Sequence, residues 1–149
     1  EEIGWSRPLP DDVLVGLIRA ARVPCEVTGI VFLKLRGRGV PADIRYAILC
    51  HAPFLGMEYT SKMDRAIYAC DELSGFVTAC ALVKPDKSLA SIEPASVRKK
   101  MKDKAFARAV PREDLLHGAE LIGLPIEVHI ANVIESLRED ADALGLRGV

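Results

Sequence analysis

Two groups of side chains in this 149-residue chain have types and spacing suited to chemistry. The first is the adjacent pair Asp71-Glu72, set inside the apolar run from Met63 to Gly75. On a helix, Met63, Ile67, Cys70, Leu73 and Val77 recur at three- and four-residue spacing and make a core-facing stripe. Asp71 lies off that stripe, with Tyr68, Ser74 and Gly75 one turn away. A carboxylate so placed is either exposed or held by a partner, because an unpaired buried charge is too costly. The plain reading is a solvated helix face. The second group is the basic run Arg98, Lys99, Lys100, Lys102 and Lys104, with Arg108 beyond it. Such a density of cations can grip a phosphate or a nucleic-acid backbone. Its plain reading is a solvated helix flanked by Glu93 and Asp103. Only one aromatic, Phe106, lies close by, so a stacking platform for single strands is not indicated.

The elements that must position these groups are punctuated by proline and glycine. Residues 1–10 hold Gly4, Pro8 and Pro10 and read as an irregular arm carrying Trp5. Asp11 and Asp12 then open a short amphipathic helix through Ala21. A second helix runs from Pro24 through Leu35 and ends at Gly37 and Gly39. Pro41 opens a third, with Ile44, Ala47, Ile48 and His51 along one face, and Pro53 stops it. Ser61-Lys62-Met63-Asp64 resembles a capping box with Asp in place of Glu. The helix it starts reaches about Val83, with a bend allowed at Gly75, and Pro85 ends it. Pro94 or Ala95 begins another helix through Met101. Pro111 starts a further one ended by Gly123. Pro125 starts the last, carrying Val128, Ala131, Ile134, Leu137, Ala141 and Leu144. No segment alternates cleanly enough to argue a strand.

The octapeptide Tyr68-Ala69-Cys70-Asp71-Glu72-Leu73-Ser74-Gly75 resembles the closing aspartate motif of the HD superfamily of metal-dependent phosphohydrolases. Residues Ala81 to Ala90 and Ser96 to Ala107 are similar to one bacterial and archaeal branch, the predicted HD-superfamily hydrolases. The resemblance runs from about Pro24 to Leu146 and is strong after Ser61. It implies an all-α fold and hydrolysis of a phosphorylated small molecule or nucleotide. It also implies a Mn, Fe, Co, Ni, Zn or Mg ion held by a histidine, a His-Asp pair and a distant aspartate. Asp71 matches that last aspartate. His51 matches an accessory histidine that helps family members hold a second metal or the phosphate. The plain reading of His51 is a helix C-terminus favoured by the dipole. Cys25 stands where another accessory histidine occurs, and Glu1-Glu2 can only be forced onto the His-Asp pair. The chain has three histidines, His51, His117 and His129, and no His-Asp dipeptide. The resemblance therefore implies an incomplete metal site with a weakly held or absent ion, since such sites need about three protein ligands. His117 and His129 fall outside the motif and are expected to be exposed or capping.

Half the residues are apolar and the mean hydropathy is +0.17. The net charge is −1 and the pI about 6.4, so the overall balance does not argue for nucleic acid. The apolar runs are far short of a membrane span. Of the four cysteines, Cys25, Cys50, Cys70 and Cys80, no pair forms a Cys-x-x-Cys motif. Cys70 and Cys80 read as small buried hydrophobes, and a reducing cytoplasm is the natural compartment.

Together these readings predict one all-α, HD-like bundle of six or seven helices over residues 1–149. Asp71 and His51 are the metal candidates, and Arg98, Lys99 and Lys102 the phosphate candidates. The function expected is a phosphohydrolase-like protein with an incomplete site. The alternative is a non-catalytic binding or self-assembly domain. The family's ligand-bearing helices are not recognisable here, which leaves apolar surface near Asp71 and predicts a homodimer.

Overall fold

Prolines open most of the helices, as their fixed φ and missing N–H allow. The computed structural model describes residues 35–148. The expectations for Glu1, Glu2, Trp5, the 11–21 helix and Cys25 lie outside the described residues. The chain is all-α. Among the described residues it forms α1 (Ala42–Cys50), α2 (Lys62–Leu82), α3 (Pro94–Met101), α4 (Arg112–Leu121), α5 (Ile126–Glu139) and α6 (Ala141–Leu144). Two 3-10 turns, Pro53–Leu55 and Leu89–Ser91, lie between them, and no strand occurs among the described residues. The chain divides into two compact units, residues 1–64 and 65–149.

In the first unit α1 presents Ile44 and Ile48 to Leu35, Val40 and Met63. Gly39 turns the chain into α1 with φ +75°, a conformation that favours glycine. Tyr46 donates to the carbonyl of Glu58 at 3.0 Å. The start of α2 is the expected capping box. Ser61 Oγ accepts from the Asp64 amide at 3.1 Å. Asp64 Oδ2 accepts from the Ser61 amide at 2.7 Å, and from the amide and hydroxyl of Thr60 at 2.9 and 3.0 Å. Burial of Asp64 opposes its charge, but the hydrogen bonds from Ser61 and Thr60 outweigh it and hold the carboxyl below its usual range. Burial, helped by the Asp64 charge, pushes the Cys50 thiol up to about 11.

Asp64→Ala is expected to lower stability by about 2 kcal/mol, because it orphans two backbone donors and a hydroxyl. A depressed folded pKa means the contribution is present above the unfolded value near pH 4 and disappears as pH falls through the folded one. Urea midpoints of the parent and of Asp64→Asn, compared across that acid range, check both claims. Equal midpoints at neutral pH would remove the carboxylate from the account.

The second unit is built on α2. Its buried face is Ala69, Leu73, Phe76, Val77, Cys80 and Ala81. Leu73, Val77 and Cys80 are where the periodicity puts them, but Ile67 is only half-buried and Cys70 is exposed. The stripe swings round at its N-terminal half because α4 closes on Ala69. A Cβ placed on Gly118 would sit 2.8 Å from the Ala69 Cα. The helix is continuous through Gly75. The last expected helix is two, α5 and α6, divided at Asp140. The buried residues of α5 are His129, Ile130, Val133 and Ile134, whereas Val128 and Ala131 are exposed.

Two arginines fasten the connections. Arg138 on α5 donates to the carbonyls of Leu89, Ala90 and Ile92 at 3.1, 3.3 and 2.8 Å. Arg112, at the start of α4, donates to the carbonyls of Met101, Asp103, Phe106, Ala107 and Val110. Its guanidinium lies over the Phe76 ring, 4.5 Å from the centroid. Near the C-terminus, the Leu89 amide donates to the Leu146 carbonyl at 2.9 Å, and Ser88 Oγ to that of Arg147 at 2.9 Å.

Candidate functional site

Arg65, Tyr68, Asp71 and Glu72 fall at three- and four-residue spacing on α2 and form one polar strip. Tyr68 is buried and the other three are half-buried. Each of the four is engaged with a partner. The strip's backbone is fixed at several points within the second unit. Tyr68 Oη donates to Asp114 Oδ1 at 3.1 Å, and its ring meets His117 edge-on at 5.7 Å. His129 is buried, and its Nε2–H donates to the Ala69 carbonyl at 2.9 Å. Gly118 lets α4 close against the same residue. Ser74 Oγ donates to the carbonyl of Asp71 at 2.8 Å. The turn from Tyr68 to Asp71 is therefore a rigid mount for a partly buried carboxylate.

His117 is exposed, as expected, with Nδ1 3.8 Å from Glu120. His129 is not. It neither caps a helix nor faces water, but ties α5 to α2 through a main-chain carbonyl. The signal for it was present. Ile126, Ile130, Val133 and Ile134 carry the α5 periodicity, and His129 stands one turn before Val133. Phasing the helix on Val128 hid this.

His51 is the C-cap residue of α1, and its Nδ1–H donates to the carbonyl of Ile48. That leaves Nε2 for any further partner. His51 belongs to the first unit and Asp71 to the second. Among the described residues no group of three or more His, Cys, Asp or Glu side chains could hold a metal ion. The described donors therefore do not fit a resident divalent ion, which needs about three protein ligands and supporting hydrogen bonds.

The basic run splits in its roles. Arg98 pairs with Glu127 at 3.0 Å and packs on Met101 Sδ. Lys100 sits over the Phe106 ring, 4.7 Å from the centroid. Lys99 is exposed on the last turn of α3, and Lys102 is the exposed residue that caps it. Arg98, Lys99 and Lys100 all oppose the negative end of the helix dipole. Elsewhere an open cleft of about 520 Å³ is lined by Ser88, Glu93, Arg138 and Arg147 among others. Most of its polar groups are already used, the Glu93 carboxylate excepted. Arg138 holds three carbonyls, Arg147 pairs with Asp142, and Ser88 is bound to the Arg147 carbonyl.

No helix among the described residues is long and apolar enough to cross a membrane. Comparison of the chain with family models, with curated proteins and with solved structures gives no match in any of the three.

Proposed function

We propose that this chain is an HD-like phosphohydrolase domain with an incomplete metal site, which keeps recognition of a phosphorylated small molecule or nucleotide without efficient turnover. One observation carries the reading. Asp71, the residue that matches the superfamily's closing aspartate, is partly buried on a turn fixed by Tyr68–Asp114, His129–Ala69 and the Gly118 contact. A carboxylate meant only for solvation gains nothing from so stiff a mount. A ligand to a cation or phosphate-bound ion gains pre-organisation. The all-α fold and the arrangement of His51, with one ring nitrogen on a carbonyl and the other left over, support the same lineage.

The missing histidines set the limit. The described residues supply no donor set of three to anchor a catalytic ion. The second reading, a non-catalytic domain that pairs with a second copy, draws on adjacent exposed apolar side chains at the end of α2. Leu82 is 51% exposed and Val83 58%. Exposed apolar area of that kind often marks an interface.

Elemental analysis of the purified chain, manganese titration and phosphatase assay test the first reading. The expected result is no metal surviving dialysis against a chelator, weak manganese binding and activity near background. Asp71→Ala should abolish the weak binding and leave the circular dichroism unchanged. Manganese binding that is indifferent to Asp71→Ala would sink the assignment. Stoichiometric metal after chelation would overturn the claim of incompleteness. The mass of the same preparation by light scattering separates a homodimer from a monomer.

A further inference from the structure

The structure assigns a second role to the segment from Arg98 to Arg108: we propose that it is a surface for the phosphate backbone of a nucleic acid. These eleven residues hold six basic side chains and one acidic, a net charge of +5. The whole chain carries −1, so everything else carries −6. The near-neutral total conceals a strongly polarised molecule. Concentration of one sign on a short exposed segment is the electrostatic footprint of a polyanion partner.

The fold turns this run into a presented surface. Arg112 donates to five main-chain carbonyls of residues 101–110, which offsets their partial negative charge and holds the backbone between them. The one acid, Asp103, spends Oδ1 on the amides of Ala105 and Phe106. Arg98 is paired with Glu127 and Lys100 lies over Phe106. Lys99, Lys102, Lys104 and Arg108 are exposed, and among the described residues none of the four has an ion pair. Four free cations are thus held on a backbone that cannot easily rearrange.

Shape selects the partner. Phe106, the segment's one large apolar ring, turns inward and meets Phe76 edge-on at 5.3 Å. It offers no platform for a splayed base and no pocket for a peptide side chain. What remains is a set of exposed cations close together in sequence, with nothing to read bases, which suits a repeating phosphate backbone better than a single enclosed phosphate.

Fluorescence anisotropy of the full chain against a labelled DNA duplex and an RNA hairpin, each about 20 base pairs, tests this between about 50 and 200 mM salt. Binding is expected at low salt, with a log–log slope of about −3 to −4 for four phosphate contacts. The combined variant K99E/K102E/K104E should lose at least about tenfold in affinity with unchanged circular dichroism, since these side chains only meet phosphate. The equal charge change R36E/R38E/K62E, placed outside the segment, should lose much less. Absence of binding at low salt, equal losses in both variants, or capture by phosphatidylserine vesicles without nucleic-acid binding would each overturn the proposal.

Discussion

Replacing Arg112 by alanine should cost about 3–4 kcal/mol of stability and should release residues 102–110 before the rest of the second unit. Few side chains among the described residues bind so much backbone. The guanidinium supplies hydrogen bonds to five carbonyls, two of them on the Nη1 nitrogen at 2.6 and 3.2 Å, and covers the face of Phe76. A hydrogen bond to a charged group is worth about 1.5–3 kcal/mol, but several on one group do not add, and this residue is only half-buried. A figure well below the simple sum is therefore expected. Lysine should not rescue it. Its ammonium has three donors and no planar fork, so it cannot reach carbonyls spread from Met101 to Val110. Urea unfolding measures the total loss. Hydrogen exchange on the amides of 102–110 tests the order of release. A variant within about 0.5 kcal/mol of the parent would show that the loop holds its shape without the clamp. Arg112→Ala should also weaken any polyanion binding, since it releases the backbone that carries Lys102, Lys104 and Arg108.

Local chemistry made much of this chain legible. The prolines and Gly123 bounded the helices, and Ser61 with Asp64 gave the start of α2 to within a residue, because caps act over three or four positions. The all-α fold followed from periodicity. The phase of the buried faces was less legible. Cys70 and Ile67 fit the stripe by spacing, yet Cys70 is exposed and Ile67 only half-buried, because Gly118 admits α4 at Ala69. Val128 likewise misled the reading of α5. Such errors share one cause: a helix with apolar residues on more than half its girth has several candidate faces, and only the partner chooses. Nothing in the sequence marks out Arg112 or Arg138. In sequence they are ordinary surface cations, and their role depends on carbonyls whose directions no spacing encodes. The site was legible as a residue, Asp71, and not as an assembly. His129, which fixes the turn bearing it, lies sixty positions from the carbonyl it holds.

Gly118→Ala should destabilise the chain by about 1–3 kcal/mol, although helix propensity alone predicts a gain of about 1 kcal/mol for alanine inside a helix. The sign is decided by distance. The new Cβ would lie 2.8 Å from the Ala69 Cα, 3.3 Å from its Cβ and 3.4 Å from its carbonyl oxygen. The nearest atom is backbone, so no rotamer change relieves the contact and α4 must move off α2. That shift strains Tyr68–Asp114 and His129–Ala69, the hydrogen bonds that fix the turn bearing Asp71. The damage should therefore reach the candidate site as well as the core. Adding Ala69→Gly removes the Cβ at 3.3 Å and leaves the Cα at 2.8 Å, so the double variant should recover little and should lose helix propensity besides. Valine at position 118 should be worse than alanine, because its branches enlarge the same overlap. Urea midpoints for the three variants test the ordering, and manganese titration of Gly118→Ala tests the link to Asp71. A Gly118→Ala chain as stable as its parent would mean that the two helices stand further apart than the geometry places them, and the rigid mount proposed for Asp71 would lose its main support.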